Sequence, residues 1–319
     1  MQTVCNSWIK LKEYLDLKDC QLIGSLEKEC IREGAALKLE LDYKLGVALG
    51  NGSKTAMRAV NELMYFDGDT LIGYIGIGNF GGPGTPPELN GMVHPDWRRQ
   101  GVFQMLSDLA IGELKRQNIK SILLLCDRQS AAGQGFIEKT GAVYHHSEFE
   151  MYLRREAAAQ GRAASGEITF QKATNKDARE VARHNAIYFG EERNEEYPPP
   201  AEDGADGSVK GLMLPEEEEK NGMTIYFALH GSQVIGKVHL QLTAGLGGIY
   251  GLGVLPEYRG KGFGRAILMG GVERLTEAGA KEIMLQVDTD NPNALHLYES
   301  CGFVVTSTMD YYELALSRA

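Results

Sequence analysis

The chain has 319 residues, more than one hydrophobic core comfortably serves, so two domains of about 150 residues each are expected. It is 43% hydrophobic and 24% charged, lacks any apolar run of about 18 residues, and opens on Met1-Gln-Thr-Val-Cys-Asn6, with neither the basic nor the apolar region of a signal peptide; a cytoplasmic protein with no membrane partner is expected. A formal charge of −10 argues against nucleic acid or an anionic lipid surface as partner.

The cysteines Cys5, Cys20, Cys30, Cys126 and Cys301 are scattered, with no Cys-x-x-Cys pair or neighbouring histidine. They read as reduced packing residues, and neither a disulfide framework nor a metal site is expected. In chain order, Trp8, Leu11, Tyr14 and Leu15 recur at helical spacing, followed by Leu22 to Leu26 and Ile31 between charged residues, so helices are predicted over residues 6–37. Lys38 to Tyr43 fits no element, and Asn51-Gly52 reads as a turn. Asp67-Gly68 between two β-rich runs predicts a hairpin. The letters Gly76-Ile-Gly78-Asn-Phe-Gly81 match a dinucleotide fingerprint, but Gly82-Pro83-Gly84-Thr-Pro86-Pro87 cannot open the helix such a loop needs. An oxidoreductase reading rests on that match alone.

From Val93 the chain reads Val-His-Pro95-Asp-Trp-Arg98-Arg-Gln-Gly101-Val-Phe103, and adding 161 to these numbers lands Val93, Pro95, Arg98 and Gly101 on Val254, Pro256, Arg259 and Gly262. The same offset, without a gap, pairs Leu114 with Leu275, Lys120 with Lys281, Ile122 with Ile283, Leu124 with Leu285, Asp127 with Asp288, Glu138 with Glu299 and Gly141 with Gly302. The chain is an internal duplication. The small, polar stretch after Arg155 reads as a linker at 156–166 between a first domain, 1–155, with extra N-terminal helices, and a second, 167–319. Met151 to Leu153 and Tyr312 to Leu314 are the matching last strands.

In the second copy Ile168 to Gln171 forms a strand and Asn175-Lys-Asp-Ala178 starts a helix. Residues 197–220 read as an acidic, Pro-containing loop; between Glu191 and Glu219 lie eleven acids against Arg193 and Lys210. Such a run is either merely solvated or steers a cationic substrate. Thr224 to Leu229 pairs with Val234 to Leu242, Leu252 and Val254 close the fourth strand, and Glu282 to Val287 form the fifth.

After that fourth strand comes Arg259-Gly260-Lys261-Gly262-Phe263-Gly264-Arg265 and a helix. The glycines let ligand oxygens reach the backbone, and the N–H groups of the first helical turn have no intrahelical partner. With the helix dipole and Arg259, Lys261 and Arg265, they make an anion site suited to a pyrophosphate, or else a Gly-rich turn with a solvated basic rim. A P-loop would need Ser or Thr after Gly-Lys, and a Rossmann fingerprint a glycine at Arg265.

The order strand, Arg259-x-x-Gly262-x-Gly264, helix resembles the acetyl-CoA signature of the GNAT superfamily of N-acetyltransferases. Asn291-Pro-Asn293-Ala294-Leu-His-Leu-Tyr298-Glu-Ser-Cys-Gly302-Phe303 is similar to that family's segment after its fifth strand. The resemblance covers residues 167–319 well and 60–154 weakly. It implies an α/β (α+β, mixed-sheet) protein of two tandem GNAT folds, acetyl-CoA as co-substrate, and a small-molecule or peptide amine as acceptor. Leu252, Val254, the loop from Arg259 to Arg265 with Phe263, and Asn291, Asn293 and Ala294 would contact the co-substrate. Tyr298 would be the general acid for the thiolate, though it also reads as an amphipathic packing residue.

The copies differ where this chemistry lies. Phe103 stands at the position of Gly264, Ser130 at Asn291, Gly133 at Ala294 and Ile137 at Tyr298. The first copy therefore reads as a degenerate, structural or substrate-shaping domain, the other reading being a site for a different acyl donor. Many GNAT enzymes carry a glutamate base on the fourth strand, but Leu246 to Val254 holds no acid; Glu192, His239 and Asp288 are the candidates, and His239 also fits a polar strand face. A non-catalytic acyl-CoA-binding or sensing protein is the alternative to an N-acetyltransferase.

Overall fold

The computed structural model describes residues 2–34, 36–51, 57–78, 85–154, 168–189 and 212–316. The chain forms two compact units, one of Met1–Glu148 with Ser307–Ala319 and one of Phe149–Thr306. The expected linker at 156–166 lies outside the described residues, as does the base candidate Glu192.

The first unit opens with β1 (Ser7–Lys12), α1 (Leu17–Ile31) and α2 (Leu41–Asn51). A helical start at residue 6 is therefore corrected: Trp8 and Leu11 lie in a strand that pairs antiparallel with β2 (Glu62–Asp67), from Ser7 opposite Asp67 to Lys12 opposite Glu62. Pairing with an existing sheet edge overrides a spacing that fits a helix over only two turns. Tyr14 and Leu15 precede the helix because Asp16 caps α1, accepting from the Asp19 backbone N–H at 2.9 Å. The ambiguous stretch after Lys38 runs into α2 at Leu41.

The Asp67-Gly68 turn joins β2 to β3 (Thr70–Gly78), followed by β4 (Glu88–Val93), a single 3-10 turn (Pro95–Trp97), α3 (Val102–Arg116), β5 (Ser121–Asp127), α4 (Ala131–Thr140) and β6 (Val143–Leu153). β2, β3 and β4 pair antiparallel and β4 pairs parallel with β5 through Glu88 to Leu89 only. The strand on the far side of β5 is not β6. It is the end of β12 (Phe303–Ala315), which pairs antiparallel with β5 from Met309 opposite Asp127 to Ala315 opposite Ser121.

The second unit repeats the plan with β7 (Ile168–Lys172), α5 (Ala178–Phe189), α6 (Pro215–Lys220), β8 (Met223–His230), β9 (Gln233–Thr243), β10 (Leu246–Val254), a 3-10 turn (Pro256–Tyr258), α7 (Phe263–Glu277), β11 (Glu282–Asp288) and α8 (Pro292–Ser300). β6, whose residues from Phe149 belong to this unit, is the neighbour of β11. α6 corrects the loop expected through residue 220: Pro215 opens it and Glu216, Glu217 and Glu218 occupy its first turn, where free N–H groups favour acids. Val238, Leu240, Ile249, Ile267, Val272 and Leu285 are among the core residues joining β9, β10 and β11 to α7. All five cysteines are free.

Candidate active site

β10 and β11 run parallel and paired from Leu246 opposite Glu282 to Ile249 opposite Leu285, and there the pairing stops. β10 continues to Val254 and β11 to Asp288, so the strands part toward their C-terminal ends. The parting coincides with a bulge in β10: the antiparallel register with β9 shifts between Tyr250 and Gly253. Leu252 and Val254, both half-buried, lie beyond the last β11 pair.

The loop between β10 and α7 is held by its own side chains. Arg259 Nε donates to the Val254 carbonyl at 3.0 Å, and Lys261 Nζ to the Glu257 carbonyl at 2.8 Å. Gly262, at φ 84°, is the N-cap of α7 and supplies no capping side chain, so the first amides of a 15-residue helix face the loop uncapped. Phe263 faces inward, with its ring 5.2 Å from that of His230. A Cβ on Gly264 would lie 3.3 Å from Leu297 Cδ2 and 3.8 Å from Val254 Cγ2, placing this residue between α7, α8 and the end of β10. Arg265 ties the helices together, donating to the Ser300 carbonyl at 3.1 Å and Oγ at 2.7 Å.

Tyr298, on α8, is 8% exposed and packs in the same core as Phe263, Leu252, Val254 and Ala294. Burial pushes its phenol up to about 12, so it stays protonated at neutral pH. Asn291 is the N-cap of α8, its Oδ1 accepting from the Ala294 amide at 3.1 Å, and Asn293 is exposed on the first turn. The structure thus brings together Val254, Gly264, Arg265, Ala294 and Tyr298, and leaves Asn291 and Asn293 at the helix start.

Of the base candidates, Asp288 is exposed, with Oδ1 accepting from the Asp290 amide at 2.7 Å. His239 is buried on β9, its Nε2 2.9 Å from Lys237 Nζ, which also donates to the Gly251 carbonyl at 3.0 Å, inside the bulge. Desolvation pushes Lys237 down to about 7 and His239 well below its usual value. Sequence reasoning missed Lys237; its only signal was a basic residue two places from His239 amid the apolar middle of β9.

The first unit keeps the same frame with different side chains. Arg98 Nε donates to the Val93 carbonyl at 3.1 Å, Gly101 caps α3 at φ 78°, and Arg99 takes φ 63° where the second copy has Gly260 at 72°. Ser130 caps α4 as Asn291 caps α8, accepting from Gly133 at 3.2 Å. Phe103 packs edge-on against Phe136, centroids 4.7 Å apart, and these are the counterparts of Gly264 and Leu297. A cavity of about 560 Å³ lies here, lined by Met92, Arg98, Phe103, Cys126 and Phe136 among others.

Two parallel strands that part beside an uncapped, glycine-led helix, twice in one chain, define a tandem acyltransferase fold. The chain belongs to the acetyltransferase (GNAT) family, whose model matches residues 25–142 and again 186–303. It is similar to a mycothiol acetyltransferase of Renibacterium salmoninarum, 27% identical over 223 residues, or 66% of this chain and 62% of that protein. One from Kocuria rhizophila is 50% identical over 58 residues, covering 18% of this chain and 19% of the relative. The chain therefore spans less than two thirds of the length of these two relatives. Among solved structures, a tandem GNAT protein from the clavulanic acid biosynthesis pathway superposes with a TM-score of 0.68 at 14% identity, over 98% of this chain and all of that one. A GCN5-related N-acetyltransferase from Sphaerobacter thermophilus gives 0.65 at 18% identity, over 97% and 96%. At these identities the structures establish the fold.

Proposed function

We propose that the second copy binds acetyl-CoA and transfers the acetyl group to a primary amine by direct attack. The observation that carries this reading is the glycine at position 264, where the first copy has a phenylalanine. Where the first copy packs Phe103 against Phe136, the second has Gly264 at the start of α7, next to Leu297 and the end of β10, where β10 no longer pairs with β11. The pyrophosphate would lie on the amides that follow Gly262, with the cation of Lys261 beside it. The Leu252 to Val254 backbone, unpaired with β11, would orient the pantetheine arm and the thioester carbonyl. Tyr298, protonated and in the same core as Leu252 and Val254, would hand its proton to the departing sulfur. The first copy would be a degenerate domain that helps to shape the acceptor site.

The reading is tested by following thiol release from acetyl-CoA with polyamines, aminoglycosides, amino acids and peptide N-termini in turn. One acceptor class is expected to release CoA. The lack of any carboxylate on β10 favours the alternative of a non-catalytic acyl-CoA-binding protein, and binding of acetyl-CoA without release to any amine would select it. Tyr298→Phe is expected to lower kcat about 10- to 100-fold, less than a full general-acid effect because a thiolate leaves readily, with acetyl-CoA affinity within about twofold of wild type. Unchanged turnover from pH 6 to pH 9 would remove Tyr298 from this role.

A further inference from the structure

Acetyl transfer to an amine releases a proton, and neither β10 nor the exposed Asp288 offers it a buried acceptor. Val238 and Leu240 pack toward α7, so Lys237 and His239, one residue out of phase, face the other side of β9. On that side α5 carries Glu180, His184 and Tyr188 at intervals of four, one stripe of the helix.

The stripe is hydrogen-bonded end to end. His184 Nε2 lies 3.1 Å from Glu180 Oε1, and Tyr188 Oη lies 2.9 Å from His184 Nδ1. Arg183, bonded to the same carboxylate, holds Glu180 below its usual range, so Glu180 is ionised and only accepts. The imidazole proton then sits on Nε2, Nδ1 is an acceptor, and the phenol of Tyr188 donates to it. His184 is 0% exposed, with Phe227 against its ring, whereas Tyr188 is half-buried. The Tyr188 ring presses on the backbone of Gly253, where a Cβ would come within 2.2 Å of it, and Gly253 lies on β10 past the last pair with β11. A helix residue that donates inward to a fully buried imidazole, while its ring rests on the wall of the parted strands, joins the opening to an interior base.

We infer that Tyr188, His184 and Glu180 form the proton relay of the transferase site, with Tyr188 meeting the acceptor amine. This rests on the acetyl-transfer reading above. As the amine nitrogen bonds to the acetyl carbon, its proton passes to Tyr188 Oη and the proton of Tyr188 passes to His184 Nδ1. The resulting imidazolium keeps its Nε2–H toward Glu180. The C–S bond breaks, the sulfur leaves with the proton of Tyr298, and solvent then takes the relay's proton and restores that of Tyr298. Burial, with help from Arg183 and Lys237, pushes His184 down to about 4 against the pull of Glu180, which leaves the ring neutral in the resting state, so that the relay holds its proton only in passing. The other titratable groups facing the relay include Lys237, whose Nζ is 5.4 Å from the Tyr188 ring centroid, His239 beside it, Tyr250 opposite His239 on β10, and Arg259 and Glu257, whose charges act on Tyr188.

The test has two arms. In ¹⁵N-histidine spectra of the ligand-free full chain, His184 should show the Nε2–H tautomer; an Nδ1–H tautomer would overturn the relay. With the amine that releases CoA fastest, Tyr188→Phe keeps the ring on Gly253 and should lower kcat about 100-fold, with the KM for acetyl-CoA within twofold. Glu180→Gln should lower kcat about tenfold while His184 stays an Nε2–H tautomer. Wild-type turnover by Tyr188→Phe would sink the relay and leave the transferase reading standing, whereas no release from wild type with any amine would overturn both.

Discussion

Gly264→Phe is expected to weaken acetyl-CoA binding by about 100-fold, close to 2.7 kcal/mol, without unfolding the second unit. A Cβ there already lies 3.3 Å from Leu297, so a phenyl ring has to enter the space between α7, α8 and the end of β10. It would rest against Leu297 as Phe103 rests against Phe136 and would lie across the free amides of α7. The first copy carries this pair within the same frame, so the fold accommodates it and the loss falls on the ligand. Calorimetric titration measures the affinity. Amide hydrogen exchange locates it, with acetyl-CoA expected to protect residues 259–265 of the wild type and not residues 98–104. Equal protection of the two loops would show that the first copy binds as well, and unchanged affinity in Gly264→Phe would place the phosphates elsewhere.

Lys237→Met is expected to remove a pH dependence from the stability of the second unit. Burial holds Lys237 at about 7 against an ordinary value of 10.5. Between these values the unfolded chain binds a proton that the folded chain does not, so stability rises with pH across the window and is lost as pH falls toward 7. From pH 7 to pH 9 wild type should gain roughly 2–3 kcal/mol relative to Lys237→Met. The comparison between the two proteins is needed because a buried thiol acts in the opposite direction: burial pushes Cys301, in the same unit, up. The methionine also leaves the Gly251 carbonyl without its donor, a constant offset of about 1–3 kcal/mol that does not alter the slope. Urea transitions followed by circular dichroism at the two pH values measure the difference, and parallel shifts in both proteins would mean that Lys237 is charged and solvated when folded.

Much of the fold was legible in the residues because the duplication repeats its punctuation. Pro95 and Pro256 open matching turns, Gly101 and Gly262 cap matching helices, and the hairpin at Asp67-Gly68 forms as its turn residues require. The loop from Arg259 to Arg265 could be located for the same reason, since glycine at positive φ and an uncapped helix start are local properties. β1 could not be found, because a six-residue strand at a sheet edge is defined by its partner β2 and not by its own spacing. The stripe of Glu180, His184 and Tyr188 was in the sequence at a period of four but had no meaning until β9 and β10 were known to lie beneath it.

By itself the sequence determined that the chain is two copies of one α/β unit, and that the copies part company at Phe103 and Gly264, because both facts follow from aligned residues and the volume of a side chain. Only the tertiary structure decided which strand completes each sheet. β6 and β12 carry the same pattern and fit the same edge, so nothing local distinguishes them; the fold sets β12 beside β5 and β6 beside β11. It likewise decided that β10 leaves β11 after Ile249 and that Lys237 is buried at the bulge, since desolvation and pairing depend on residues far apart in the chain.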